Sequence, residues 1–213
     1  MKSTITVQQA LKRILDFSIA AVLLVAFTPV LLLIALAVRF ESEGPVIFRQ
    51  QRMGKDGRVF TLIKLRSMKN SRIQEDIFHE PEDMTKVGRF IRRWRIDEIP
   101  QFINVLKGDM SIVGPRPTLP YQTERYDQEQ KRRLSVKPGI TGWSQIHADP
   151  LMGWPDRISL DLWYIDRWSL WLDVKTMLLT PVALLRIRNI NAEEASPPDE
   201  ISRISSEDED AQG

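Results

Sequence analysis

The sequence contains no cysteine, which excludes disulfides and thiolate-bound metals and leaves the redox compartment unread. Histidine is almost as scarce. His79 and His147 are the whole supply, too few for a multi-histidine metal site, and both read as ordinary surface or hydrogen-bonded side chains. No GxxxxGK[ST], GxGxxG or HExxH run occurs, which argues against P-loop nucleotidases, Rossmann dehydrogenases and zincins. The ordered part of the chain has no convincing Asp-x-Asp, which weakens a conventional nucleotide-sugar glycosyltransferase. Nothing resembles a helix-turn-helix, a zinc finger or the aromatic RNA-binding signature, so no nucleic-acid partner is expected. No internal repeat is visible.

Charge is missing from one long stretch. Phe17–Val38 is 22 residues without a charged side chain, interrupted by Thr28-Pro29. An unbroken helix of that length reaches roughly 33 Å, enough for a bilayer core of about 30 Å. Pro29 removes an amide donor and clashes with the preceding turn, which predicts a kink, and the Thr28 hydroxyl can cap a carbonyl there. Lys12 and Arg13 precede the stretch, while Arg39, Arg49, Arg52, Lys55 and Arg58 follow it, so the positive-inside rule gives no direction. A re-entrant helix broken at Thr28 and Pro29 satisfies both observations; a spanning helix and a buried core helix are the alternatives. No small-residue cleavage site follows, which disfavours a signal peptide.

What is present is basic and then acidic. Formal net charge is +2, yet residues from 191 onward carry eight carboxylates against one arginine, leaving +9 on residues 1–190. A body of that charge beside an apolar insertion suits an anionic membrane surface, an anionic substrate, or both. Three regions are expected: 1–40 a re-entrant membrane anchor, 41–190 a catalytic domain, and 191–213 a disordered acidic tail. Val46–Gln51 and Arg58–Arg66 read as strands of a hairpin around Gly54-Lys-Asp-Gly57. Asn70–Asp83 reads as a polar loop or short helix. Thr85–Arg95 reads as a basic helix, Ile96–Leu106 as a second helix with Pro100 in its first turn, and Tyr121–Leu134 as a charged helix. Gly114–Pro117 and Pro138–Gly142 read as loops. Five of the six tryptophans lie from Trp143 onward, close to the apolar Met177–Ile187 stretch with its Thr180-Pro181 break. That pattern favours short amphipathic helices at a membrane interface. The fold class expected is α+β, mainly helical, with a kinked N-terminal membrane helix, interfacial amphipathic helices and a small β-hairpin.

Asp97-Glu98 is the strongest candidate for chemistry. Neighbours on a helix point about 100° apart, so the pair would divide labour rather than share one proton. An aspartate can attack phosphorus and split one substitution into two easier ones. Arg92, Arg93 and Arg95 lie just upstream and can neutralise phosphate oxygens. A divalent cation would let a carboxylate approach an anionic diphosphate. The competing reading is a surface ion-pair cluster. Gly114-Pro-Arg-Pro117 adds an arginine stiffened between two prolines.

These segments resemble the bacterial sugar transferase family, the monotopic phosphoglycosyl transferases. The resemblance runs from about Lys12 to Ile187 through Lys12-Arg-Ile-Leu-Asp16, Thr28-Pro29, Phe60–Met68, Gly88–Arg92, Ile96–Gln101, Asn104–Pro117, Pro138–Gln145 and Leu172–Lys175. It implies transfer of a sugar-1-phosphate from a UDP-sugar to undecaprenyl or another polyprenyl phosphate, releasing UMP and initiating a lipid-linked glycan. Asp97 would form a covalent phosphosugar intermediate, with Glu98 as base or metal partner. Mg²⁺ (or Mn²⁺) would be held by Asp97 and Glu98. Arg92 would clamp phosphate, Lys64 and Arg66 would be second-line anion contacts or, equally, packing and hairpin support, and Pro115, Arg116 and Pro117 would hold the nucleotide. The setting implied is the cytoplasmic face of a bacterial inner membrane, with a homodimer or downstream glycosyltransferases as further partners. The alternative is a catalytically weak or inactive membrane scaffold that recruits glycan-assembly partners. The family's Gln-Val-Asn-Gly-Arg run is Gln145-Ile-His-Ala-Asp-Pro150 here, and Arg157 is the candidate substitute for the missing arginine.

Overall fold

The computed structural model describes residues 2–69, 84–148 and 152–189. The polar stretch expected at 70–83 and the acidic tail from 191 lie outside these residues. The described fold is mainly helical with two small strand pairs, as expected for an α+β chain. It divides into two compact units, the first formed by residues up to 52 with 59–112, the second by 53–58 with the chain from 113 onward. The division does not fall at residue 40. The apolar N-terminal segment belongs to the first unit because its side chains are fastened there.

In the first unit, α1 (Lys2–Glu41) is one helix that continues through Pro29. Thr28 Oγ1 donates to the Leu24 carbonyl at 2.7 Å. That acceptor sits one residue before Val25, whose usual amide partner Pro29 removes. Val7–Glu41 is long and apolar enough to cross a membrane. Thirteen of its large apolar side chains stand exposed, from Val7 to Phe40. At roughly 1.5–3 kcal/mol for each such side chain moved from water, this surface is not stabilised by contact with the rest of the protein.

Strands β1 (Ile47–Met53) and β2 (Val59–Leu65) form the expected hairpin, its tip tightened by a 3-10 turn at Lys55–Gly57. The basic helix is α2 (Lys86–Arg93), N-capped by Thr85, whose hydroxyl accepts from the Gly88 amide at 2.8 Å. Such a cap is worth about 1 kcal/mol. Gly88 has to be glycine, since a Cβ there would lie 1.9 Å from the Ser67 carbonyl oxygen. The next segment differs from the expected helix. Ile96–Gln101 is a 3-10 turn and only α3 (Phe102–Lys107) is α-helical. Pro100 lacks the amide an α-turn would need at that point. Val38, Leu65 and Ile91 form the core here, with Leu31, Ile34, Val87 and Ile96 packed on it.

In the second unit, the end of β3 (Ser111–Val113) pairs with β4 (Gly139–Thr141), and the Gly114 amide donates to the Thr141 carbonyl at 2.9 Å. β4 lies in the stretch expected as loop, and no element was expected over residues 111–113. The helix expected over 121–134 is three pieces: α4 (Pro120–Glu124), α5 (Gln128–Lys131) and a 3-10 turn at Arg132–Ser135. Asp127 breaks it, because its side chain accepts from the Gln130 amide while Gln130 caps its own amide in return. Helices α6 (Trp143–His147), α7 (Trp154–Asp166) and α8 (Leu170–Asn189) complete the unit. Thr180 and Pro181 do not interrupt α8, and Thr180 Oγ1 donates to the Thr176 carbonyl at 2.7 Å. Trp171, Leu178, Val182 and Leu185 are exposed along α8.

Candidate active site

Arg95 sets up the site. Its backbone is left-handed, with φ 56° and ψ 21°, a conformation that side-chain-bearing residues rarely adopt. It ends α2 and restarts the chain as the 3-10 turn Ile96–Gln101, which packs on β2, α2, α3 and α1. Asp97 is thereby carried inward to 5% exposure, while Arg95 pairs with Glu98 at 3.3 Å.

The Asp97 carboxyl is a buried group with one unsatisfied oxygen, for Oδ1 has no hydrogen-bond partner. Burial pushes its pKa up to about 6, and the neighbouring Glu98 charge pushes in the same direction; Lys64, Arg92 and Arg95 pull it back down. The shift is dominated by desolvation. A carboxylate so placed is ionised above pH 6 yet poorly solvated, which suits an acceptor awaiting a cation or an electrophile.

The cations around it are held by different means. Lys64, on β2, lies over the Phe48 ring with its ammonium 4.9 Å from the centroid. Arg92 Nε donates to Ser67 Oγ at 2.9 Å, and its terminal nitrogens approach the thioether sulfurs of Met84 and Met68, which are weak acceptors. Both therefore face Asp97 while braced by neighbours. Arg66 does not join them. It is buried, and its terminal nitrogens donate to the carbonyls of Glu43 (2.7 Å), Ser42 (2.6 Å) and Val38 (3.3 Å). Of its two expectations, anion contact and packing support, the structure shows packing: the two terminal nitrogens cap the end of α1, and Gly44 keeps space for them, since a Cβ there would meet Nη1 at 2.4 Å.

Pro115, Arg116 and Pro117 belong to the second unit. There they line a shallow pocket, with about 220 Å³ of open space, together with Met53, Gly54, Arg133 and Leu134. Pro115 is buried and Arg116 is the exposed member of the three. Arg157 donates through Nε to the Met152 carbonyl at 2.9 Å. His147, in the family's asparagine position, stacks on Trp143 at 3.8 Å, and Trp143 stacks on Trp163 at 4.7 Å.

Sequence reasoning gave no role to the residues that hold α1 in place. Arg13 donates to the carbonyls of Val105 (2.6 Å) and Leu106 (2.9 Å), filling the C-terminal end of α3. Asp16 is buried and accepts from Ser111 Oγ (2.8 Å) and the Ile112 amide (3.0 Å). At the far end, the Glu41 carboxylate accepts from the Lys86 and Val87 amides at 2.6 and 2.9 Å, the open N-terminus of α2. The signal for Arg13 and Asp16 was their three-residue spacing just before the apolar run, which places both on one helix face.

Among the described residues, no cluster of three or more carboxylate or histidine side chains is poised for a metal. A divalent ion that keeps most of its own water needs fewer, and the unpartnered Asp97 Oδ1 beside Glu98 is a fitting pair of donors.

The profile of the family described as bacterial sugar transferase matches residues 7–187. The uncharacterized sugar transferase EpsL of Bacillus subtilis is 45% identical over 172 residues, covering 80% of this chain and 85% of that protein. The UDP-glucose:undecaprenyl-phosphate glucose-1-phosphate transferase of Escherichia coli is 46% identical over 185 residues, 82% of this chain but 40% of that protein. An Aeromonas hydrophila transferase whose name specifies UDP-N-acetylgalactosamine and undecaprenyl phosphate is 42% identical over 179 residues, 80% of this chain and 42% of its own length. With the profile matched over most of its length and a relative 45% identical that it covers to 85%, the chain belongs to the bacterial sugar transferase family.

Proposed function

We propose that the protein transfers a sugar-1-phosphate from a UDP-sugar to a polyprenyl phosphate at the cytoplasmic face of a bacterial membrane, starting a lipid-linked glycan. The observation that carries this reading is the buried, partly unsatisfied Asp97 carboxyl, held on a tight turn next to Glu98 and faced by Lys64 and Arg92.

In the first step an Asp97 oxygen attacks the sugar-bearing phosphorus of the donor. The bond from that phosphorus to the bridging oxygen breaks, and UMP leaves with the oxygen and its electron pair. The product is an acyl phosphate between Asp97 and the sugar phosphate. In the second step a phosphate oxygen of the lipid attacks the same phosphorus and the Asp97 carboxylate leaves, restored. Lys64 and Arg92 offset charge on the transferring group, Glu98 takes up or orients a proton, and Arg116 contacts the nucleotide. Asp97 and Glu98 would hold a divalent ion such as Mg²⁺, which when bound would further offset the charge of the diphosphate.

The way α1 is fastened supports a re-entrant topology. Arg13 and Asp16 tie its beginning, and Glu41 and Arg66 tie its end, to the same compact unit. A straight helix between residues 16 and 38 would separate those ends by about 33 Å. Entry and exit on one membrane face, with a bend centred near Pro29 inside the continuous helix, would reconcile the two latches with the exposed apolar surface between them. Two of these relatives are named for UDP-glucose and UDP-N-acetylgalactosamine, so a neutral hexose or its N-acetylated form is the donor proposed.

The test is UMP release from a panel of UDP-sugars, with and without undecaprenyl phosphate and Mg²⁺. A donor that yields UMP and a labelled phosphosugar adduct, lost in Asp97→Asn, supports the reading. No UMP from any donor would leave the scaffold alternative.

A further inference from the structure

We infer that Arg133 is a positioning residue for Arg116, holding the loop that presents Arg116 to the donor; this rests on the reading of Arg116 as a nucleotide contact. Pro115 and Pro117 have no amide hydrogen, so backbone carbonyls are the main handles on this segment. Three of them are gripped. The Gly139 amide donates to the Pro115 carbonyl at 2.8 Å, the Met53 amide to the Thr118 carbonyl at 2.8 Å, and Arg133 Nη2 to the Arg116 carbonyl at 2.9 Å. Two of these grips are backbone. Only the one on Arg116 itself comes from a side chain.

Arg133 is built for holding rather than for binding a substrate. It is 4% exposed, and each side of its guanidinium is engaged. Nε donates to Asp161 Oδ2 at 2.7 Å and Nη1 to the Tyr126 hydroxyl at 2.9 Å, and the Trp154 ring lies 5.0 Å from the guanidinium carbon. Asp161 is fixed in turn by Ser144, whose hydroxyl donates to Oδ1 at 2.6 Å. The positive charge is therefore already balanced inside the protein, while Arg116 carries an exposed one at the same pocket. A buried ion pair of this kind adds little net stability over apolar packing, and its geometric contribution is to fix one arrangement. The planar fork matters for the same reason. A lysine would keep the charge toward Asp161 but could not span Asp161, Tyr126 and the Arg116 carbonyl together.

The experiment is a double-mutant cycle on UMP release, with UDP-glucose and undecaprenyl phosphate as substrates and full-length protein. Arg116→Ala and Arg133→Lys should each raise the donor KM about tenfold with kcat changed less than about threefold. The double variant should be within about twofold of either single one. A multiplicative loss near a hundredfold, or an Arg133→Lys enzyme with lowered Tm but unchanged KM, overturns the inference. If Arg133→Lys fails to fold, Tyr126→Phe takes its place and should give a smaller, likewise non-additive rise in KM; additive behaviour again overturns it. An unchanged KM in Arg116→Ala would remove the nucleotide reading of the loop, and the inference with it, while adduct formation on Asp97 would stand or fall separately.

Discussion

Arg66 and Ser42 meet where the apolar helix ends: the guanidinium donates to the Ser42 carbonyl at 2.6 Å and to its hydroxyl at 3.0 Å. Arg66 is two residues after Lys64, and the two cations have opposite fates. One seals the carboxyl end of α1, the other biases the Asp97 carboxyl. Lys64→Met should move the acid limb of the pH–rate profile upward, because it removes the largest of the influences holding that pKa down. Arg66→Met should lower Tm and leave the pH midpoint in place. Parallel pH profiles and thermal melts of the two variants check the contrast.

The pH dependence of the wild type has a defined sign. In the proposed mechanism Asp97 attacks only as the carboxylate, so the rate of adduct formation should rise through about pH 6 and level off above it. Single-turnover capture of the phosphosugar adduct across that range measures it. A flat profile down to about pH 4 would mean that the attacking group titrates elsewhere.

Asp97 also weakens the fold it sits in. Its carboxyl keeps a proton up to about pH 6, whereas the unfolded chain gives it up near the ordinary value of 3.8. Stability therefore falls as pH rises through that window and stays lower above it, by on the order of 2–3 kcal/mol. Asp97→Asn removes the buried charge. At pH 7.5 its Tm should exceed that of the wild type by several degrees while turnover is lost, a trade expected of a catalytic carboxylate. Calorimetry at pH 5 and 7.5 tests this, because the gain should shrink at the lower pH.

Topology is open to direct mapping, since the chain has no cysteine to remove. Single cysteines placed at residues 8 and 55 should react with a membrane-impermeant maleimide from the same side of sealed vesicles. Pro29→Ala restores the missing amide and should shift part of the population to opposite-side labelling. Wild-type labelling from opposite sides would exclude the re-entrant arrangement.

The latch at the start of α1 should be costly to break. Asp16→Ala leaves the Ser111 hydroxyl and the Ile112 amide buried without their acceptor, a loss of about 2–4 kcal/mol. Denaturant midpoints in detergent measure it.

Much of this was legible in the sequence. The hairpin announced itself by β-prone runs around a glycine-bearing turn, and the dyad by two acids following a run of arginines. The 3-10 form of Ile96–Gln101 was not legible, because the left-handed backbone at Arg95 has no compositional mark. Nor was the capping role of Arg66, which depends on carbonyls about 24 residues away in sequence. Strands β3 and β4 are three residues each, too short for an alternating pattern; β4 read as loop beside its glycines and proline, and β3 was given no element. The tether from Arg133 to Arg116 joins a helix end to a proline-rich loop, a pairing that only the folded chain reveals.

Glu41 closes the lipid-facing helix and, with the same carboxylate, opens the helix that carries Arg92. The seating of the apolar helix and the direction of Arg92 therefore share one joint, so that under the proposed re-entrant reading a shift of the helix would be felt at the guanidinium.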